Sequence, residues 1–469
     1  MVPICQPGDW PTLNEACRAE RNEMARIDFT DGWMPLTLPQ LDFWEEFSFH
    51  PDQPVSTVAH CVEIEGDVDV EKLLRAISQT VREAEVLSIR FSDEKEQGRP
   101  VQLCDPAHMP DVDFVDLSAF PDPRAEAGRR METDLSAPLD LRRDRMSAHA
   151  LYRIGARQYI WYIRAHHIII DGYGLALIEQ RCGQLYSHFC GQGESGHPFH
   201  PFASFIHEED AYRASPRWEA DRKFWQDYLD GPVRLPILDR GAEDYGEAGY
   251  HHDVAFRDDI SIGLRAMAKA TDIGWPDLLV LLSGLYLSRM LPMQGEDEGL
   301  TLWLPFMSRW GSVGAHMPGL LVNILPFHLE FDSGETLFSA LRRNMDMLKK
   351  HRLHGRYRIE QISADRGLVS GSRFFFSPLI NVLPFSTPQF AGCRVAREVL
   401  ANGPGDGFNL TYRADVDGAG LTLKIEAASN MMDAQTFARI AAGLPAFLKA
   451  SLAPHLIERP VSDLRRRLP

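Results

Sequence analysis

The clearest pattern in the chain lies between residues 146 and 185, where the period of apolar and polar positions changes. Met146–Ile154 and Arg157–Ala165 alternate as strands do, with Gly155 between them, so this stretch predicts a β-hairpin. A helix should begin near Tyr173, because apolar residues then recur every three or four positions. These residues are Leu175, Ile178, Cys182 and Leu185.

Other segments repeat the succession of strand and helix. In the first half, Ser56–Glu65 and Leu87–Phe91 are predicted strands, and Asp69 can cap a helix that runs to about Glu85. This succession indicates a mixed α/β (α+β) protein in two halves of similar size. The second half is predicted to contain strands at Leu300–Leu304, Leu320–Leu329, Leu379–Leu383 and Leu421–Ala427, and helices that begin at Pro276 or span Leu337–His351 and Ala434–Leu448.

A chain of 469 residues is too long for one ordinary core, so two lobes are expected. Gly, Pro, His and aromatic residues become frequent near residue 200, and this change predicts a linker that carries one helix at about Arg217–Tyr228. The predicted boundaries are a polar leader at 1–30 with a short helix at Asn14–Arg26, a first lobe at 31–200, the linker at 201–235, a second lobe at 236–455, and the start of a linker to a following domain at 456–469.

Composition narrows the choice of partners and compartment. The formal net charge is −17, and this acidic balance argues against nucleic acid or an anionic membrane as a partner. The seven cysteines are odd in number and form no CxxC pair, so neither a disulfide framework nor a zinc site is expected, and a reducing cytosol fits best. The N-terminus has no signal-peptide pattern, and the longest apolar run, Leu278–Leu287, is about half a bilayer span.

Residues 166–174 read HHIIIDGYG and carry the strongest chemical signal. Side chains alternate along a strand, so His167 should share a face with Trp161 while His166 points to the other face. An imidazole titrates near neutrality and can take a proton from an attacking amine or hydroxyl. Only one histidine of the pair is therefore expected to face a reaction cavity.

The rest of this motif forms the turn into the predicted helix. Asp171 is expected to fix the turn through an arginine or through backbone amides. Gly172 is expected to permit a bend that a side chain would block. The helix that follows presents free backbone N–H groups and the positive end of its dipole. No HExxH motif or His/Asp cluster with metal spacing is present, so no metal is expected.

With its spacing and context, this motif resembles the HHxxxDG signature of the condensation domains of nonribosomal peptide synthetases and of related acyltransferases such as chloramphenicol acetyltransferase. The resemblance covers about residues 33–465 and has further anchor points in the expected order. They are PLTLPQLDFW (35–44), VLSIRF (86–91), the inter-lobe segment at 202–225, LPFMSRWGS (304–312), MPGLLVNILPFHL (317–329), HGRYRIEQISADRGL (354–368) and NGPGDGFNL (402–410).

The resemblance implies a V-shaped pair of chloramphenicol-acetyltransferase-like lobes with His167 between them. Two carrier proteins would bring substrates on phosphopantetheine arms, and the acceptor amine would attack the donor thioester to give an amide. No directly bound cofactor is implied. His166, Asp171 and Gly172 complete the motif around His167, which acts as a general base or positions the amine.

Further site residues follow from the later motifs. Ser308, Asn323 and Gly174 are expected to border the substrate channel, with backbone hydrogen bonding as the alternative for Ser308 and Asn323. The arginine that commonly pairs with the motif aspartate in the family falls on Ser88 here. The remaining candidates for that structural role are Arg90 and Arg82.

The motif variants most resemble the domains that open siderophore assembly lines. They favour a starter group as the donor. The preferred hypothesis is a hydroxybenzoyl group on an aryl carrier protein, and the second is a β-hydroxy or fatty acyl group. The acceptor is expected to be an aminoacyl group on a peptidyl carrier, and an adenylation domain is expected downstream. The chain is interpreted as a module fragment.

Three other functions stay open. One is a free-standing acyltransferase that uses a small soluble thioester, or an ester-forming condensation enzyme. Another is a degenerate lobe pair that only recruits proteins, although the intact motif argues against it. An epimerisation domain would need a catalytic glutamate in the second lobe, where Glu360 is interpreted as a carboxylate on a helix surface.

Overall fold

The computed structural model describes residues 32–96, 99–231, 249–291, 299–367, 374, 376–403 and 407–465. The predicted leader and its helix lie outside these residues. The first lobe and the segment after it contain β1 (Met34–Pro35), α1 (Leu38–Phe49), β2 (Thr57–Gly66), α2 (Val70–Glu83), β3 (Ile89–Glu96), β4 (Arg99–Cys104), β5 (Val112–Asp116), α3 (Pro123–Leu135), β6 (Ser147–Gly155), β7 (Gln158–His166), α4 (Gly172–Phe189), α5 (Phe202–Arg213) and α6 (Pro216–Leu229).

The second half builds another α/β unit. Its elements are β8 (Tyr250–Ala255), α7 (Asp258–Thr271), α8 (Trp275–Met290), β9 (Leu300–Phe306), β10 (Asn323–Leu329), α9 (Leu337–Leu353), α10 (Ile359–Asp365), β11 (Leu379–Pro384), β12 (Cys393–Asn402), β13 (Phe408–Ala414), β14 (Thr422–Ala427), α11 (Ala434–Ser451) and α12 (Val461–Arg465). No helix in the described ranges is both long enough and apolar enough to cross a bilayer.

Two larger sheets organise these elements. The first-lobe sheet has the order β12-β2-β7-β6-β5 and the second has the order β10-β9-β11-β13-β14-β8, while β1, β4 and β3 form a small third sheet. Helices α2 and α4 pack on the first sheet, and the second sheet packs on α8, whose residues from Leu278 to Leu287 are nearly all buried. A helix buried all round has no polar stripe, which explains its unbroken apolar run.

The periodic segments of the sequence form the elements they predict. The hairpin is β6 and β7, and the helix after it begins at Gly172, because the Asp171 side chain caps it by accepting from the Gly174 N–H at 2.9 Å. One expectation was wrong, because residues Glu85–Ser88 form a 3₁₀ turn and the next strand begins at Ile89 instead of Leu87. The helix predicted within the linker is α6, and a helix that was not predicted, α5, precedes it. Helix α5 buries little of its surface, which leaves a weak apolar period.

The two halves are joined by an exchanged strand. Strand β12 follows β11 in the second half but pairs antiparallel with β2, so it is the edge strand of the first-lobe sheet. Val399 of β12 lies opposite His60 of β2. Strand β12 is therefore paired with the first lobe along its length, except at a bulge between Val399 and Ala401.

A buried ion pair makes the second connection between the halves. The Arg309 guanidinium donates to both carboxylate oxygens of Asp171 at 2.8 Å, and both side chains are 5 % exposed or less. Asp171 also accepts from the backbone N–H groups of Leu321 and Val322, each at 3.0 Å. Burial alone would raise the pKa of Asp171, but Arg309 and the backbone N–H groups of Leu321 and Gly174 hold it below its ordinary value. We call this contact the lobe clasp.

The lobe clasp corrects the expected partner of Asp171. Arg90 binds Asp105 at the surface, and the Arg82 side chain is exposed, so neither has the predicted role. Ser88 is buried and donates to the Glu85 carbonyl. Arg309 takes the role because the loop after β9 carries it beneath the first turn of α4.

Breaking the lobe clasp should destabilise the protein. Arg309→Met or Asp171→Ala leaves one buried charge without its partner, which costs about 3–5 kcal/mol in similar cases. Urea unfolding measures this loss. The matched control is Arg90→Met, which breaks an exposed pair and should leave the unfolding midpoint almost unchanged. Equal effects of Arg309→Met and Arg90→Met would contradict this assignment.

Acid should destabilise the first lobe through His149. Its ring is buried, stacks on Trp161 and has no hydrogen-bond partner among the described residues, and burial lowers its pKa to about 3. A histidine in the unfolded chain titrates near pH 6.5. Below that pH the unfolded chain binds a proton that His149 in the folded chain does not bind. The free energy of unfolding therefore falls by up to about 1.4 kcal/mol per pH unit.

The variant His149→Phe keeps a ring in this place and removes the titration. Its urea midpoint should therefore fall less than that of the wild type between pH 7 and pH 5. His252→Phe, at an exposed position of β8, is the control and should keep the wild-type slope. An unchanged slope in His149→Phe would show that His149 is not the group responsible.

Candidate active site

The His-His-Ile-Ile-Ile turn is held at both ends by the backbone. The His166 N–H donates to the Met146 carbonyl at 2.8 Å, and the His167 N–H donates to the Ser56 carbonyl at 2.7 Å. The three isoleucines that follow are almost completely buried in the first-lobe core. The chain therefore leaves the strand, buries its apolar residues and enters α4 within five residues.

His167 lies in the wall of a large cavity, with its ring half-buried. The ring stacks on Phe43 of α1, with centroids 5.1 Å apart and planes at 15°. Gly403 approaches its other side with φ +80°, and a Cβ built there would lie 3.1 Å from His167 Cδ2. Phe43 and Gly403 lay within quoted sequence motifs, but periodicity did not single them out.

His166 points away from this cavity. Its ring is buried, its Nδ1 accepts from the Ile168 N–H at 3.1 Å, and burial lowers its pKa to about 3. The expectation that one histidine of the pair faces the cavity is confirmed. The reason given was wrong, because Trp161 and its alternate neighbours face the core, and His167 lies beyond the last residue of β7. The turn, and not strand alternation, orients His167.

The cavity lies between the two lobes and has a volume of about 1730 Å³. This is larger than a typical small-molecule pocket and leaves room for two substrates. Its walls are formed by residues of the first lobe and by strands and loops of the second lobe. The lining includes Val58, Gly172, Leu175, Ser308 and Ala401, and Gly403 of the lining lies against His167.

The two glycines of the motif have different roles from those expected. Gly172 lies in the cavity wall, has no positive φ, and a Cβ built on it would meet nothing within 4 Å, so the predicted bend was wrong. Gly174 is buried outside the cavity lining, and a Cβ there would lie 2.6 Å from Ile170 Cγ1 and 3.0 Å from the Gly319 nitrogen. Gly174 therefore allows the lobes to pack closely and does not border the channel.

Of the two polar residues of the second lobe that were expected to border the channel, only Ser308 does so. Ser308 borders the cavity, and its hydroxyl donates to the Gly355 carbonyl at 3.0 Å. Asn323 is buried outside the lining, where its amide donates to the carbonyls of Gly355 and Tyr357 and accepts from the Ile359 N–H. The channel role expected of Asn323 was wrong, and its backbone alternative describes it. Asn323 holds the loop before α10 in place.

Glu360 is not a helix-surface carboxylate. It is 3 % exposed, lines the cavity and forms an ion pair with Arg358 at 3.0 Å. A helix N-terminus can carry a carboxylate on its buried side as easily as on its surface, and the sequence period of so short a helix does not distinguish the two. The pairing with Arg358 fixes the carboxylate within the second lobe.

One group of described side chains has its possible metal ligands within 4.8 Å of one another. Cys61, Glu63 and Glu398 lie together on β2 and β12. Arg124 already binds the Glu63 carboxylate, and burial raises the pKa of the Cys61 thiol to about 12. Both features oppose metal binding. That the protein needs no metal stays a prediction.

Similar proteins fit this geometry. The solved structure of VibH, described as an NRPS condensation enzyme, superposes with a TM-score of 0.81 at 35 % identity and covers 91 % of this chain and 100 % of that one. The first condensation domain of the calcium-dependent antibiotic synthetase gives a TM-score of 0.77 at 25 % identity, covering 93 % and 99 %. These likenesses confirm the mixed α/β, chloramphenicol-acetyltransferase-like fold.

Curated relatives are longer proteins. An isonitrile lipopeptide synthase of Streptomyces coeruleorubidus is 32 % identical over 445 residues, which are 94 % of this chain and 30 % of that protein. Enterobactin synthase component F of Escherichia coli (strain K12) is 28 % identical over 413 residues, which are 85 % of this chain and 30 % of that protein. The chain thus spans less than a third of their length.

A family model extends the same conclusion over nearly the whole chain. The model for the condensation domain matches residues 31–459, which include every motif of the site described above. The fold, the placement of His167 in a cavity between two lobes and the relatives agree with this match. The chain belongs to the condensation-domain family of nonribosomal peptide synthetases.

Proposed function

We propose that the chain forms an amide between the acyl group of a carrier-bound thioester and the amine of an aminoacyl group on a second carrier. The observation that carries this proposal is His167, held by the motif turn in the wall of the inter-lobe cavity. Both substrates would arrive on phosphopantetheine arms, and no directly bound cofactor takes part. The size of the cavity supports the presence of two tethered substrates.

The reaction needs one nucleophile and one leaving group. The amine nitrogen attacks the thioester carbonyl carbon, a C–N bond forms, the C–S bond breaks, and the proton lost by the amine ends on the released thiol. His167 accepts this proton or orients the amine by a hydrogen bond. Gly172 lies at the positive end of the α4 dipole, which favours negative charge on the carbonyl oxygen, and its missing side chain leaves space for the thioester.

The donor proposed is a starter acyl group. The preferred candidate is a hydroxybenzoyl group on an aryl carrier protein, and the second is a β-hydroxy or fatty acyl group. The likeness to enterobactin synthase component F and to vanchrobactin synthetase VabF of Vibrio anguillarum supports the siderophore-type starter predicted from the motifs. The isonitrile lipopeptide synthase supports the lipid alternative. A peptidyl carrier for the acceptor and an adenylation domain downstream complete the proposed setting.

The proposed compartment is the reducing cytosol. The five described cysteines, Cys61, Cys104, Cys182, Cys190 and Cys393, are free thiols, which is the usual state there.

A second candidate is a free-standing condensation enzyme that accepts a small soluble substrate. It is favoured by the likeness to VibH, which is described as a condensation enzyme and not as a domain of a synthetase. The two candidates share the site and differ only in how a substrate is presented. They are separated by an assay with carrier-bound and soluble substrates.

The donor assay should show amide formation from aryl- or fatty-acyl-loaded carriers with an aminoacyl-loaded acceptor carrier. Intact-protein mass spectrometry detects the amide on the acceptor carrier. Soluble thioesters and soluble amines in the same assay test the free-standing alternative. Condensation only with L-aminoacyl or peptidyl donors would contradict the starter proposal, and no amide with any pair would contradict condensation itself.

His167→Ala should reduce this turnover by roughly 100-fold or more while leaving the melting temperature close to that of the wild type, because the half-buried ring faces the cavity. His166→Ala is the matched comparison. It removes a buried ring and its bond to the Ile168 amide, so it should lower stability by about 1–3 kcal/mol. Full turnover by His167→Ala would refute the assignment of the reactive histidine.

A further inference from the structure

A second histidine lies in the wall of the same cavity, and the motif does not include it. His60 is in β2, and its Nδ1 is 2.5 Å from Oε1 of Glu179, a completely buried residue of α4. The other oxygen of Glu179 accepts from Arg397 of β12 at 3.0 Å. Burial would raise the pKa of Glu179, but His60 and Arg397 hold it below its ordinary value.

The contacts of this group fix which atom His60 can offer a ligand. The Glu179 carboxylate accepts from His60 Nδ1 on one side and pairs with Arg397 on the other. In the tautomer that donates from Nδ1, the ring nitrogen Nε2 carries a lone pair and can accept a hydrogen bond. The carboxylate behind the ring holds it in orientation.

The surroundings of His60 are those of a ligand slot. Val58 is two residues away on the same face of β2, Val399 is its cross-strand neighbour on β12, and Leu175 is one helical turn before Glu179. All three line the cavity with it. Arg397, which binds the other oxygen of Glu179, lines the cavity as well. Apolar walls with a few oriented polar groups are the usual construction of a site that fixes a ligand by hydrogen bonds.

The register places this acceptor at some distance from the reacting carbonyl. Thr57 pairs with His166, next to His167, and His60 lies three residues further along β2. Three strand residues span about 10 Å. A substrate group that reaches both histidines must therefore carry its proton donor several bonds beyond the carbonyl.

We propose that His60 is a specificity-determining residue that accepts a hydrogen bond from a substrate hydroxyl several bonds from the reacting centre, with Glu179 as its positioning residue. This inference rests on the proposed function, because it assigns the partner of a substrate in that cavity. The hydroxyl belongs either to the donor, as in a ring-hydroxylated aryl group, or to the acceptor side chain.

Two series of substrates distinguish these sources. In the first, benzoyl, 2-, 3- and 4-hydroxybenzoyl thioesters on a carrier protein are each condensed with a glycyl-loaded acceptor carrier. In the second, a benzoyl donor is condensed with phenylalanyl-loaded and tyrosyl-loaded acceptors. The wild type should prefer the hydroxylated member of one series by roughly tenfold in kcat/KM. In the donor series, the 3- or 4-hydroxybenzoyl compound should be the preferred substrate. The 2-hydroxybenzoyl compound controls for the electronic effect of a hydroxyl on the ring.

His60→Phe keeps the ring and removes both nitrogens, so the hydroxyl preference should fall to near unity. His252→Phe, at an exposed position outside the cavity lining, should keep it. Glu179→Gln should weaken the preference through KM, a change that a residue serving only to support the fold would not produce. If His60→Phe fails to fold, His60→Leu is measured instead.

The wild type alone can overturn the inference. Equal kcat/KM for hydroxylated and plain substrates in both series would contradict it, as would a preference that survives in His60→Phe or in Glu179→Gln. These outcomes all require that amides form. Absence of any amide would instead contradict the proposed function, so the two failures are distinguishable.

Discussion

The buried contact between Asp171 and Arg309 is the interaction on which the rest of the structure depends. One carboxylate caps α4, accepts two backbone amides of the second lobe and pairs with an arginine of that lobe. Two charges removed from water must be paired and hydrogen-bonded, and here every bond spans either the motif turn or the lobe interface. The aspartate of the motif thus fixes where the strand ends, where the helix begins and how the lobes meet. His167 faces the cavity as a consequence.

The exchanged strand β12 gives the cavity its composite wall. It carries Arg397 and Val399 to positions beside His60, and Gly403, which follows it, packs against His167. His167 and His60 therefore both lie beside a segment that comes from the second half of the chain. Both contacts therefore depend on the pairing of β12 with the first-lobe sheet.

Much of the fold could be predicted from the sequence, because strand and helix periods are local properties. The hairpin, α4, α8, α9 and α11 follow from their apolar spacing, and the spacing of the motif identified His167. Contacts between distant segments could not be predicted in this way. Arg309 lies 138 residues from Asp171, so no period connects them. Arg90 and Arg82 were the candidates because they lie near Ser88, the position of the family's arginine. Asn323 and Gly174 were assigned to the channel because they belong to the motifs, whereas the side on which a strand or turn is buried depends on its packing partners.

The central claim is that Asp171 and Arg309 act as one unit that holds the lobes and the motif turn. A double-mutant cycle of Asp171→Ala and Arg309→Met, measured by urea unfolding, tests it most directly. Each single variant leaves a buried charge without its partner, and the double variant leaves none, so the second substitution should cost far less than the first. The account predicts a coupling free energy of about 2 kcal/mol or more. Additive losses from the two substitutions would contradict it.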